Sequence, residues 1–261
     1  MSASLGVRDR NEASWTQIMK IIGYMVDSVS APVVTDGDAG FGDFNNAGRP
    51  AWKSYRRGVA GGRLKNQTFP RTNSFLGPDQ PPAPMGEFRC KIKAAKDSQS
   101  NGVFCVAVRV EALVSRRSTD EALWRSEARH AAGADTNLIC SKESSADEVP
   151  QIIGRWDGFS PVIIGPAMYR ATPADLFRKG GISAVIGANH ALRAAISATR
   201  SIIGRIRKNR SVLEVNGDMV SVAEAFRPTN VDELEMAEKI YAEPARTLPS
   251  IADGKLRKVR R

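Results

Sequence analysis

Short apolar runs alternate with amphipathic helical segments along most of this chain, and this order restricts the folds that it can adopt. Strands separated by helices predict βα units and a parallel sheet. We predict six strands, at 33–36, 59–64, 103–110, 137–140, 161–165 and 182–187. We predict helices at 12–29, 46–57, 87–97, 119–132, 146–156, 173–179 and 190–208, with a further helix at 232–241. The sequence therefore predicts an α/β fold.

Two carboxylates follow the first predicted strand. Side chains alternate along an extended chain, so Asp36 and Asp38 are predicted to point to the same side. A glycine-rich turn follows them, and we expect Asn45 or Asn46 to cap the next helix, as Asn11 caps the first. Paired acids at a strand end are typical of divalent metal sites in α/β enzymes. Two solvated loop acids are the alternative, and the spacing alone does not separate the two interpretations.

Six segments, in order along the chain, carry a resemblance to one enzyme family. They are 6–15 (GVRDRNEASW), 36–46 (DGDAGFGDFNN), 69–75 (FPRTNSF), 109–112 (RVEA), 132–135 (AGAD) and 188–194 (ANHALRA). Together they resemble the phosphoenolpyruvate mutase branch of the isocitrate lyase superfamily, over about residues 2–241. The resemblance implies a (β/α)8 TIM barrel.

The barrel is expected to be incomplete at its N-terminus, with about six βα units. Residues 1–9 match an internal segment of the family that follows its first two barrel strands. An open sheet leaves two unpaired edges, so we expect poor solubility or dependence on a partner. We expect residues 1–245 to form the barrel domain and residues 246–261 to form a basic, disordered tail.

The resemblance implies an isomerase that interconverts phosphoenolpyruvate and 3-phosphonopyruvate, a step of phosphonate biosynthesis that forms or breaks a carbon–phosphorus bond. Hydrolysis of phosphonopyruvate is one alternative, and the sequence Thr72-Asn73-Ser74 resembles the mutase version of the loop instead. A truncated or decayed family member without mutase activity is another alternative. The chain has no Lys-Lys-Cys-Gly-His segment, which argues against isocitrate or 2-methylisocitrate cleavage.

The same resemblance implies roles for individual side chains. It implies Mg²⁺ held by Asp36 and Asp38. The implied catalytic residues are Asp9, Asn73 and Arg109, and the implied substrate-binding residues are Arg71, Thr72, Ser74 and Cys140. The loop at 69–74 is expected to close over the site and exclude water. Arg109 is expected to contact the phosphoryl group with Glu111 orienting it, and a purely structural Arg–Glu pair is the alternative.

Three residues depart from the family pattern. Lys65 stands where the mutase pattern has an acid near the metal, which puts a positive group beside Mg²⁺. Arg71 replaces a lysine of the loop and keeps its charge but not its shape. Cys140 replaces a histidine that contacts the phosphoryl group, and a thiol supplies no cationic donor. These departures favour the alternative in which the chain lacks mutase activity.

The chain is basic, with a formal net charge of +10 and a pI near 9.8. Much of the excess lies in the C-terminal tail and at the end of the predicted helix at 190–208, and no nucleic-acid-binding motif accompanies it, so we predict no nucleic-acid partner. No apolar run is long enough to span a bilayer, so we predict no membrane partner. Three scattered cysteines fit a reduced, cytoplasmic protein. The remaining expected partners are a small-molecule substrate and copies of this chain in a dimer or tetramer, the latter implied by the resemblance.

Overall fold

One parallel sheet organises the first part of the chain. The computed structural model describes residues 2–67 and 82–242, except 116, 144, 146, 167 and 170. Within them, six strands pair in chain order. They are β1 Val34–Asp36, β2 Gly61–Lys65, β3 Cys105–Val110, β4 Thr136–Ile139, β5 Val162–Ile164 and β6 Ala184–Val185. Every pairing is parallel, which confirms the predicted α/β alternation.

Helices separate the strands as the sequence predicts. They are α1 Trp15–Asp27, α2 Phe44–Arg56, α3 Met85–Asp97, α4 Thr119–His130, α5 Glu148–Ile153, α6 Ala174–Lys179 and α7 His190–Asn209, followed by α8 Val222–Phe226 and α9 Val231–Tyr241. Short 3₁₀ helices lie at Ser2–Leu5, Leu213–Asp218 and Arg227–Thr229. No helix among the described residues is long and apolar enough to cross a membrane.

The chain forms two compact units, Met1–Ser197 and Ala198–Arg261. The first unit contains the whole sheet and every described residue of the candidate site. The second unit contains the C-terminal part of α7, α8 and α9. The predicted tail at 246–261 lies outside the described residues, so it stays a prediction.

The caps of the first two helices differ from the predicted ones. Ser14, not Asn11, caps α1, and it forms a reciprocal capping box with Gln17. Asp43 caps α2 by accepting a hydrogen bond from the backbone N–H of Asn46. Asn11 lies upstream in a left-handed conformation with φ of 60°, which frees its side chain for a different contact.

The sheet has two different faces. Val106, Val108 and Val110 of β3 are buried in apolar clusters with side chains of the surrounding helices, such as Ile22 of α1 and Ile152 of α5. Because strand side chains alternate, the residues between these valines point to the opposite face. That opposite face carries the charged side chains of the candidate site.

The two outer strands of this sheet are β1 and β6, and no pairing joins them among the described residues. The sheet therefore has six of the eight strands of a closed barrel. Val34 of β1 is 57% exposed and Val185 of β6 is 45% exposed, so both edges present apolar side chains. The predicted effect of these edges on solubility stays a prediction.

Candidate functional site

Charged side chains gather at the carboxyl ends of β1, β2 and β3. Asp36 is the register partner of Arg63, and Lys65 is the register partner of Arg109. Side chains of register partners lie side by side on one face of a sheet, and Arg63 and Lys65 share a face because they are two residues apart. The carboxyl ends of the strands are where barrels of this type place their active sites. The strand order therefore brings together Asp36, Lys65 and Arg109, three of the residues that the sequence analysis singles out.

The two predicted acids meet through a tight turn. Strand β1 ends at Asp36, and Asp38 has a left-handed backbone with φ of 49°. The Asp38 N–H donates to Asp36 Oδ1 at 3.1 Å, and the Lys65 N–H donates to the Asp38 carbonyl at 2.6 Å. The two acids are neighbours, as the sequence predicts. The prediction assumed an extended chain, whereas in the structure the left-handed turn at Asp38 brings them together.

Lys65 lies between these two carboxylates. Its Nζ is 3.0 Å from Asp36 Oδ2 and 3.3 Å from Asp38 Oδ1, and the side chain is buried. Arg63 makes a second ion pair with Asp36 Oδ2. Asn11 donates from Nδ2 to Asp38 Oδ2 at 3.3 Å, which is the contact that its unexpected backbone conformation allows. Each acid therefore already has a cationic partner within the protein.

Arg109 is a buried cation at the end of β3. Its Nε is 3.1 Å from Glu111 Oε1, and both residues are buried. Burial by itself lowers the pKa of the Arg109 guanidinium, but Cys140, Glu111 and Asp36 offset this effect and leave the pKa raised. Arg109 is therefore held in its charged form. The geometry includes the Arg–Glu pair that the sequence offers as the structural alternative, and contact of Arg109 with a substrate stays a prediction.

Arg129 is a buried charge that the sequence analysis missed. It lies in α4, is fully buried, and donates from Nη1 to the Arg109 carbonyl at 3.5 Å. Burial, reinforced by the charge of Arg125, lowers its pKa to about 9, and Glu111 acts in the opposite direction. The available signal was its position on the buried stripe of α4, three residues after Ser126.

The remaining predicted site residues divide into two groups. Arg71, Thr72, Asn73 and Ser74 lie outside the described residues, so their roles stay predictions. Asp9 is half-buried in the segment before α1, two residues from Asn11, which contacts Asp38. Cys140 directly follows β4 and is buried beside Arg109.

The residues present do not fit a divalent metal as they stand. Carboxylate oxygens are suitable ligands for Mg²⁺. However, the Lys65 ammonium lies within 3.3 Å of both carboxylates, in the space that a bridging cation would need. In the part of the chain that the structure describes, no cluster of three or more His, Cys, Asp or Glu side chains could hold a metal ion. The predicted Mg²⁺ therefore competes with a cation that belongs to the protein.

Comparison with known proteins identifies the family. The sequence model described as "Phosphoenolpyruvate phosphomutase" matches residues 1–207. The chain belongs to the phosphoenolpyruvate phosphomutase family. It is 43% identical over 242 residues to a phosphoenolpyruvate phosphomutase of Tetrahymena pyriformis, which covers 92% of this chain and 81% of that protein.

Solved structures of the family support the fold. The phosphoenolpyruvate phosphomutase from Streptomyces platensis subsp. rosaceus matches with a TM-score of 0.89 and 34% identity, over 93% of this chain and 84% of that one. A phosphonopyruvate hydrolase in complex with oxalate and Mg++ matches with a TM-score of 0.83 and 31% identity, over 93% and 84% of the two chains. The predicted barrel type is thereby confirmed, with six of its strands described here.

Proposed function

We propose that this protein interconverts phosphoenolpyruvate and 3-phosphonopyruvate at the carboxyl ends of β1 to β4. In this isomerisation the bond between phosphorus and the enol oxygen breaks and a bond between phosphorus and the methylene carbon forms. The enol oxygen becomes the ketone oxygen, so the reaction needs no second substrate. Membership of the phosphomutase family supports this reaction over the others of the superfamily.

The single observation that carries the proposal is the buried, charged Arg109 at the end of β3. A buried guanidinium at a strand end is suited to bind an anion, because its fixed donors match phosphoryl oxygens. The transferred phosphoryl group passes through a loose state with its charge spread over three oxygens. Fixed positive charge nearby lowers the energy of that state without reorganisation during the reaction. Arg109 is proposed to bind the phosphoryl oxygens and Glu111 to hold the guanidinium in place.

Several finer statements belong to this proposal. Asn73 is proposed as a catalytic residue, and Arg71, Thr72 and Ser74 are proposed to bind the substrate; the loop at 69–74 is proposed to close over the site. Asp9 is proposed as a catalytic residue close to Asp36 and Asp38. The Mg²⁺ that the resemblance implies at Asp36 and Asp38 is not part of the proposal, and no step is assigned to it, because Lys65 lies between the two carboxylates. A cytoplasmic location and a dimeric or tetrameric state also stay predictions.

Phosphorus NMR with phosphonopyruvate as the starting compound tests the proposal. Conversion to phosphoenolpyruvate is expected, with Mg²⁺ supplied in the buffer. The variant Arg109→Met is expected to lower the rate by about 100-fold or more, as for other donors to developing charge. Arg125→Met is the matched control, because Arg125 lies in α4 and pairs there with Glu121.

Each other outcome contradicts the proposal in a recognisable way. Inorganic phosphate as the product identifies the hydrolase alternative, for which the 31% identical hydrolase structure is the precedent. No conversion by protein with a folded circular dichroism spectrum identifies the inactive family member. Equal rates for Arg109→Met and Arg125→Met would show that Arg109 has no specific role in the reaction.

A further inference from the structure

The acids of this site are already neutralised by side chains of the same chain. Asp36 and Asp38 supply two negative charges, and Lys65 and Arg63 supply two positive charges at contact distance. A divalent ion added to these four described side chains would leave an excess of positive charge beside partly buried carboxylates. Like charges at this range repel strongly where water is scarce.

Lys65 is held in position by its strand. Its N–H donates to the Asp38 carbonyl at 2.6 Å, and its neighbour in the register is the cation Arg109. The side chain is buried, and its ammonium has both carboxylates within 3.3 Å. Moving the ammonium away to admit a metal would bring it toward Arg109 or strand it without an anion, and both are costly for a buried charge.

We propose that the Lys65 ammonium is the resident cation of this site and takes the place of a divalent metal. A bridging ammonium neutralises both carboxylates and fixes their orientation, which is the structural part of a metal's role. The proposal predicts that the acid pair of this chain binds divalent cations weakly or not at all. The proposal concerns only which cation the acids bind, so its test is independent of whether the proposed reaction takes place.

Titration with Mn²⁺, followed by electron paramagnetic resonance, tests the proposal directly. For the wild-type protein, we expect no loss of the Mn²⁺ signal that disappears when Asp36 is substituted. In Lys65→Glu, an acid replaces the ammonium, and we expect one Mn²⁺ site at least about tenfold tighter than any site of the wild type. The further change Asp36→Asn in that variant is expected to remove the new site. Lys93→Glu is the control, since Lys93 is exposed on α3 and carries the same change of charge away from the acids.

Thermal unfolding gives a second readout without any assay of activity. A ligand that binds only the folded state raises the midpoint of unfolding. Millimolar Mg²⁺ is therefore expected to raise the midpoint of Lys65→Gln, whose acids have lost the ammonium, and to leave the wild type and Lys93→Gln unchanged.

The wild-type titration decides the question even if the Lys65 variants fail to fold. One Mn²⁺ bound by the wild type and lost in Asp36→Asn would overturn the proposal. A wild-type midpoint raised by Mg²⁺ in an Asp36-dependent manner would overturn it equally.

Discussion

Arg129 is a fully buried arginine with few polar contacts. Its guanidinium carbon lies 5.3 Å from the centre of the Phe88 ring, and its Nη1 reaches the Arg109 carbonyl. Its Nε and Nη2 have no hydrogen-bond partner within the described residues. Burying a charge with so few partners costs stability, and this cost explains the lowered pKa.

The pH dependence of stability follows from the lowered pKa of Arg129. The folded chain releases this proton above a pKa of about 9, whereas the unfolded chain keeps it to a much higher pH. The cost of burial is therefore complete below about pH 9 and falls as the pH rises beyond it. Arg129→Met is expected to raise the free energy of unfolding by about 1 kcal/mol or more at neutral pH.

Urea unfolding of Arg129→Met and wild type, at neutral pH and near pH 10, measures this effect. The advantage of the variant is expected to shrink at the higher pH. An advantage that is the same at both values, or a variant that is less stable at neutral pH, would show that Arg129 is a favourable structural cation.

Strand β2 is the element on which the site depends, because it carries both Arg63 and Lys65. Its first two residues are glycines that lie close to β3. A Cβ at Gly61 would lie 2.6 Å from the Cys105 carbonyl oxygen, and one at Gly62 would lie 3.1 Å from the Phe104 ring. The backbone oxygen cannot move without breaking the ladder, so only glycine fits at position 61.

Gly61→Ala is expected to lower the free energy of unfolding by about 1–3 kcal/mol, as for other overpacked positions. Gly86→Ala is the matched control, because no atom lies within 4 Å of its added Cβ in the first turn of α3. There the loss of unfolded-state entropy and the better helix propensity predict a gain of up to about 1 kcal/mol. Urea unfolding compares the two variants, and equal effects would refute the close approach at Gly61.

The order of elements was predictable, whereas the contacts between them were not. Hydrophobic periodicity is a local property, so the strands and helices are confirmed with shifts of a few residues at their ends. The cap at Ser14 was also visible, as a Ser followed three residues later by Gln17. The resemblance placed Lys65 near the two acids, but its bridging position between them was not visible, because it depends on the register of β1 with β2 and on the left-handed turn at Asp38.

On the scale of the whole molecule, the outer strands of the sheet are its exposed feature, because each has a free side in the described part of the chain. Among the described residues, β1 and β6 each pair on one side only, and both carry exposed valines. The alternation of strands and helices predicted six strands, and the structure describes six. Unpaired strands with apolar side chains are templates for pairing with other chains.

We therefore expect the purified protein to associate as its concentration rises, because pairing between chains would cover the strands β1 and β6. Light scattering after size exclusion, over a range of concentrations, measures the association. Val34→Lys and Val185→Lys place charges on the two outer strands and are expected to reduce it. Val103→Lys is the control, since Val103 is 71% exposed and lies outside the strands. A monodisperse monomer with a cooperative thermal transition would show instead that the outer strands are tolerated, and equal effects of all three variants would assign the association to net charge alone.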